Sequence, residues 1–192
     1  ETGVNNTLIM GESNTVRSLS RNNLIVGTNN EIASGVNNAT VVGSNGTALN
    51  DGEFVIGSNV GQNSTLSLNG ATTDATPTDL FVNGDTAVTV IARTPDKVYY
   101  YKIDIHAYRT GGASGSGAVN DRAFYTLRGI VNGVTFDESL TLNIGRGTTV
   151  GWTAETRYLT VSTVDEMYLR VTGVAAMDIQ WEATVNLYEM TI

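Results

Sequence analysis

The feature that most constrains this chain is a short-period repeat in its first third. Thr7-Leu8-Ile9-Met10-Gly11 recurs as Asn23-Leu24-Ile25-Val26-Gly27, then Thr40-Val41-Val42-Gly43, then Phe54-Val55-Ile56-Gly57, with the glycines 16, 16 and 14 residues apart. A small polar cluster follows each glycine: Glu12-Ser13-Asn14, Thr28-Asn29-Asn30, Ser44-Asn45-Gly46 and Ser58-Asn59. Asn and Gly tolerate positive φ, so each cluster reads as a turn. A second short apolar step comes next, at Val16, at Ile32 and at Ala48-Leu49. Units this short have no room for a helix and read as strand, turn, short strand, turn. Stacked in parallel, they set aliphatic residues in interior columns and let turn asparagines form hydrogen-bonded ladders. One coil cannot bury its own apolar face, so neighbouring coils or neighbouring chains must cover it.

The periodicity ends before Ser67. Turn-formers then gather at Asn69-Gly70, Thr72-Thr73-Asp74, Pro77 and Asn83-Gly84, with Leu80-Phe81-Val82 as a candidate strand among them. Beyond this stretch, alternating polarity predicts half-buried strands over residues 87–93, 98–108, 123–131, 134–144, 157–162, 168–172 and 178–190. Asn132-Gly133 is a hairpin signal between two of them, and Gly111 to Gly117 reads as a surface loop. Alternation points Tyr101, Ile103, Ile105, Trp181, Val185 and Leu187 inward, and His106, Tyr108, Gln180 and Glu182 outward. The expected fold is all-β: a parallel β-solenoid over 1–66, a linker over 67–86 and an antiparallel β-sandwich over 87–192.

Composition narrows the function. The chain of 192 residues has no Cys, which excludes disulfides and thiolate metal sites. A net charge of −8, with no Lys/Arg cluster to offset it, argues against nucleic acid and anionic lipid as partners. No stretch approaches the roughly 20 apolar residues of a membrane span, so no membrane insertion is expected. The chain opens on Glu1 rather than Met, which reads as a processed or excised piece, with Glu1-Thr2-Gly3 as a cloning remnant.

Chemistry-bearing motifs are sparse. His106 is the single histidine, so a His-based triad or a multi-His metal site has little support within one chain. The adjacent acids Asp137-Glu138 and Asp165-Glu166 point to opposite faces of a strand or sit solvated in turns. No calcium loop or phosphate-binding glycine loop is present. The expectation is therefore no catalysis, no metal and no cofactor. Flat aromatic faces with polar rims suit sugar rings and protein partners alike, which nominates Tyr100, His106, Tyr108 and Trp152 as ligand-binding residues.

The apolar-apolar-Gly-Ser/Thr-Asn units over residues 4 to 60 resemble the coils of YadA-like heads in trimeric autotransporter adhesins, and similar repeats in trimeric bacteriophage tail fibres. The present units are longer than that family's, at 16 residues. A second resemblance is carried by Tyr101-Lys102-Ile103-Asp104-Ile105, Leu169-Arg170-Val171-Thr172-Gly173 and Ile179-Gln180-Trp181-Glu182-Ala183-Thr184-Val185. These segments look like the C-terminal β-sandwich of phage tail fibre and tail appendage proteins. Together the resemblances imply a homotrimer, a place in the virion tail, and adsorption to a host surface glycan or surface protein. The alternatives are a bacterial trimeric adhesin head and an accessory domain of a capsule depolymerase.

Overall fold

The computed structural model describes residues 5–83, 88–94, 97–113, 119–132, 135–147, 149–161 and 164–190. Glu1-Thr2-Gly3, the hairpin glycine Gly133 and residues 114–117 of the expected surface loop lie outside the described residues. Among those described, every regular element is a strand.

The repeat folds as the spacing predicts. Its long strands are β1 (Leu8–Glu12), β3 (Leu24–Thr28), β5 (Thr40–Ser44) and β7 (Phe54–Ser58), and its short strands are β2 (Thr15–Val16), β4 (Glu31–Ile32) and β6 (Thr47–Ala48). The long strands pair in parallel with Gly11, Gly27, Gly43 and Gly57 in register, and the short strands stack as a separate sheet. Ile25, Val41 and Val55 form one interior column and Val16, Ile32 and Ala48 another, all buried. Ile9 belongs to the first column yet is 46% exposed, because its coil is the outermost one described.

The glycine column is a packing requirement. Gly11, Gly27 and Gly43 have φ of 111°, 131° and 103°. A Cβ on each would stand 1.9, 1.8 and 2.3 Å from the carbonyl oxygen of the next glycine. The asparagines form the expected ladders. Asn6 donates to Asn22, and Asn22 to Asn38, each at 3.3 Å, all three with φ between 52° and 58°. Asn29, Asn45 and Asn59 form a second ladder. A third column is internal: Asn30 Nδ2 donates to Gly43 O at 2.9 Å while Gly46 N donates to Asn30 Oδ1 at 2.9 Å, so each amide serves backbone groups that the coil corner leaves unpaired.

β7 turns back through Asn59-Val60 into β8 (Gly61–Thr72), which runs antiparallel to it. The expected end of the repeat, between residues 66 and 67, falls inside this twelve-residue strand. The inward residues of β8 change along its length. Gln62 and Ser64 close the solenoid, and Leu66 and Leu68 enter the second core. Gln62 stands in for a missing fourth short strand: Thr47 N donates to Gln62 Oε1 at 2.8 Å, and Gln62 Nε2 donates to Thr47 O at 3.1 Å.

The remaining strands are β9 (Thr78–Asp79), β10 (Phe81–Val82), β11 (Ile91–Arg93), β12 (Val98–Gly111), β13 (Arg122–Asn132), β14 (Thr135–Arg146), β15 (Thr153–Val161), β16 (Val164–Thr172) and β17 (Asp178–Met190). Each of the seven stretches predicted by alternation contains a strand, although the first is shorter than expected, since residues 88–90 precede β11 outside any strand and residues 87, 134 and 162 lie outside the described residues. One wide sheet runs β1-β3-β5-β7-β8-β17-β12-β13-β14, with β10 extending the line of β7 along the edge of β8. A smaller sheet of β11, β16, β15 and β9 packs on its second half. Their shared core holds Tyr101, Ile103, Ile105, Leu127, Met167, Leu169, Val171, Ile179, Trp181 and Val185.

The solenoid and the smaller sheet are also joined directly. Ala92 N donates to Asn50 Oδ1 at 2.7 Å, and Asn50 Nδ2 donates to Ala92 O at 3.2 Å, so one side-chain amide extends the backbone pairing of β11. Beside it the Glu53 carboxylate accepts from Leu49 N and Asn50 N at 2.8 and 2.9 Å. Burial raises the Glu53 carboxyl above the usual carboxylate range, with hydrogen bonds from Ser64, Leu49 and Asn50 opposing the rise.

Candidate functional site

The outer face of the wide sheet, away from the shared core, is built by the outward-pointing residues of β8, β17, β12, β13 and β14. Cross-strand register aligns them in rows, because directly opposed side chains share a face. The row nearest the solenoid passes through Met10, Val26, Val42, Ile56, Asn63, Tyr188, Tyr100 and Ile130, one residue from each of eight consecutive strands. It is apolar at every position but Asn63, and Met10, Ile56 and Ile130 are 53%, 50% and 50% exposed.

Further along the strands the face turns polar. Lys102 Nζ donates to Asp104 Oδ2 at 2.6 Å, and Thr126 Oγ1 donates to Asp104 Oδ1 at 2.9 Å. Burial alone would raise the Asp104 carboxyl. The hydrogen bonds from Lys102 and Thr126, with the charges of Lys102 and Arg128, outweigh it and hold the group below its ordinary range.

Beyond Asp104 the face opens into a groove made of three adjoining depressions. The first, about 510 Å³, is lined by Ser67, Asn69, Asn83, His106, Glu182 and Thr184 among others. The second shares His106 with it, measures about 450 Å³, and is walled by Tyr108, Arg122, Phe124 and Ile144. The third, about 510 Å³, shares Tyr108 and Arg122 and adds Asn120, Arg146 and Gly147. The register explains the grouping: Asn69, Glu182, His106, Phe124 and Ile144 form one row, and Gln180, Tyr108, Arg122 and Arg146 the next. His106 packs on Phe124 with ring centroids 4.8 Å apart, and the Tyr108 hydroxyl is held by Asn120. The floor is therefore aromatic and the rim carries amides, hydroxyls, the carboxylates of Glu182 and Asp121, and two guanidinium groups.

The four nominated residues are placed differently. His106 and Tyr108 stand together in the groove. Tyr100 lies on the same face but in the apolar row, where its ring packs on Tyr188 at 5.6 Å. Trp152 lies in the interior at 4% exposure, packed on Trp181 at 6.2 Å, and its carbonyl accepts from the Tyr125 hydroxyl at 3.2 Å. Burial of Trp152, Ala154 and Thr156 shows that alternate residues here face the core, which removes the indole from the groove. Sequence reading missed Asn69, Asn83, Phe124, Arg122 and Arg146. Alternation marks outward residues on each strand, but only the register between strands sets them side by side. Among the described residues no cluster of three His, Cys, Asp or Glu side chains is placed to hold a metal ion, and no helix is long and apolar enough to cross a membrane.

Fold and groove together define an all-β protein in which a short solenoid continues into a two-layer sheet with an open, grooved outer face. No family model matches the chain, and no curated protein matches it in sequence. Solved structures that it resembles include three phage tailspike proteins. The tailspike protein gp49 of Acinetobacter baumannii bacteriophage Fri1, a capsular polysaccharide depolymerase, matches 88% of this chain and 30% of its own at 12% identity, TM-score 0.41. The tailspike protein of A. baumannii phage AM24 matches 86% and 33% at 10% identity, TM-score 0.31. That of Acinetobacter phage vB_ApiP_P1 matches 86% and 39% at 9% identity, TM-score 0.26. The chain spans about a third of the length of these solved chains. The expectation of no catalysis is corrected here: a matched structure is that of a capsular polysaccharide depolymerase, and a non-enzymatic assignment is not retained.

Proposed function

We propose that this chain is a receptor-binding part of a bacteriophage tailspike or tail fibre, carried in the virion, that holds a host-surface saccharide in the groove of the wide sheet. The observation that carries this reading is the groove's make-up. The faces of His106, Phe124 and Tyr108 lie in one trough, rimmed by Asn69, Asn83, Thr184, Glu182 and Arg122. Sugar rings present apolar C–H faces and a rim of hydroxyls, and such a trough satisfies both. In this reading the solenoid is a stiff spacer. Two further copies of the chain cover the apolar row, because an uncovered apolar band running from the solenoid strands of the wide sheet into its second half marks an interaction surface.

A second reading, that the bound saccharide is also cut, has Glu182 in its favour. It lies in the groove opposite His106 in the β12/β17 register, and carboxylates are the groups that glycoside hydrolysis requires. The test of both is an array of bacterial surface glycans followed by a reducing-end assay on the glycans retained. The double variant His106→Ala/Phe124→Ala is expected to bind at least tenfold more weakly with an unchanged melting temperature. Undiminished binding by that variant rejects the groove. Release of reducing ends that disappears in Glu182→Gln supports the second reading.

A further inference from the structure

The third depression contains an arrangement that folding alone disfavours. Arg122 on β13 and Arg146 on β14 are directly opposed in the antiparallel register, exposed, and line the same depression. Opposed side chains on one sheet face stand about 5 Å apart at Cβ, and like charges in that relation destabilise the pair. Lys102, Arg170, Lys97 and Arg17 each have an ion-pair partner. Among the described residues no ion pair is formed by Arg122 or Arg146. Asp121 lines the same depression with a single carboxylate, so the two guanidinium groups leave it a locally net-positive spot on a chain whose net charge is −8. Tyr108 and Arg122 join this spot to the aromatic trough.

From this we infer that the groove takes an anionic saccharide, whose carboxylate or phosphate is held between the guanidinium groups of Arg122 and Arg146 while a neighbouring ring lies against Tyr108 and His106. This rests on the saccharide reading above and adds the class of sugar. Two planar guanidinium forks offer parallel N–H donors that match the oxygens of either anion. The bound charge removes the repulsion between the arginines, so the same contact that selects the ligand relieves the free protein. The arginine pair also gives a net-negative chain a local means of approaching an acidic surface layer that its overall charge opposes.

The test uses the full chain on an array holding carboxylated, phosphorylated and neutral oligosaccharides, with Arg122→Ala/Arg146→Ala and Arg122→Lys/Arg146→Lys alongside. Retention is expected for acidic glycans, and the carboxylated and phosphorylated arms decide which anion is the source. The alanine variant should lose at least tenfold in binding while melting no lower than the parent, and the lysine variant should keep part of the affinity. Raising the salt from 50 to 300 mM should weaken the parent and leave the alanine variant unaffected. Equal binding of neutral glycans, undisturbed in the alanine variant, would overturn the anionic class and leave the saccharide reading standing. Failure to retain any of the three classes overturns both.

Discussion

Gly27 shows how one missing side chain sets the geometry of the solenoid. Its φ of 131° and the 1.8 Å approach of Gly43 O to a would-be Cβ are two separate demands for glycine. Gly35 also has positive φ, at 81°, but a Cβ there would meet nothing within 4 Å. Gly35→Ala should therefore cost only the left-handed backbone term, about 1 kcal/mol, and Gly27→Ala should cost more than about 3 kcal/mol because the coils must also separate. Urea unfolding of the two variants checks the difference, and equal costs would show that coil spacing does not depend on the glycine. The recurrence of Gly11, Gly27, Gly43 and Gly57 was legible in the sequence. The reason was not, since the collision is with a residue of another coil. The turn signal Asn69-Gly70 misleads for a related cause. Both residues lie within β8, where the absent Cβ of Gly70 leaves room for Leu80 Cδ2 at 2.8 Å.

Among the elements, β8 links the two parts. Five of its twelve residues are buried, and they serve the solenoid first and the second core later. Gln62 is the position where a side chain does the work of a strand, and only a group that both donates and accepts meets the two demands of Thr47. Gln62→Glu keeps the size but loses the donor and adds a buried charge; Gln62→Ala loses both partners. Each should destabilise by about 1–3 kcal/mol and speed exchange of the Thr47 amide, with slower changes in the second core. Unaltered Thr47 protection in both variants would mean that β6 needs no cap. Alternation located β12, β13 and β17 well because each has one buried and one open face. β8 was read as the end of a repeat and a linker, because its inward residues run from Gln62 and Ser64 to Leu66 and Leu68 and show no single apolar period.

At the scale of the whole molecule, one sheet carries two surfaces of opposite character: an apolar row beside the solenoid and a polar groove at the far end. If copies of the chain meet along the row, Ile56→Asp should turn the assembled species into a monomer without loss of fold, since Ile56 is already 50% exposed and supports no core. Light scattering on the parent should give three times 20.4 kDa; a parent that runs as a monomer at micromolar concentration rejects self-association by this face. The groove should retain its local shape in the variant, because its rows lie on β17, β12, β13, β14 and the Asn69 end of β8, whereas Ile56 pairs with Asn63 at the other end of that strand. What the sequence determined by itself was local and periodic: the strand identities, the glycine register, the asparagine turns, and the inward and outward faces of each strand. These follow from φ preferences and from a two-residue alternation that each segment carries on its own. Only the tertiary structure decided that Arg122 faces Arg146, that His106 lies between Glu182 and Phe124, and that Trp152 is interior. Those neighbours are far apart in the chain, and their meeting depends on how hydrogen-bonded strands align, a choice made by the packing of both sheets together and not by any one segment.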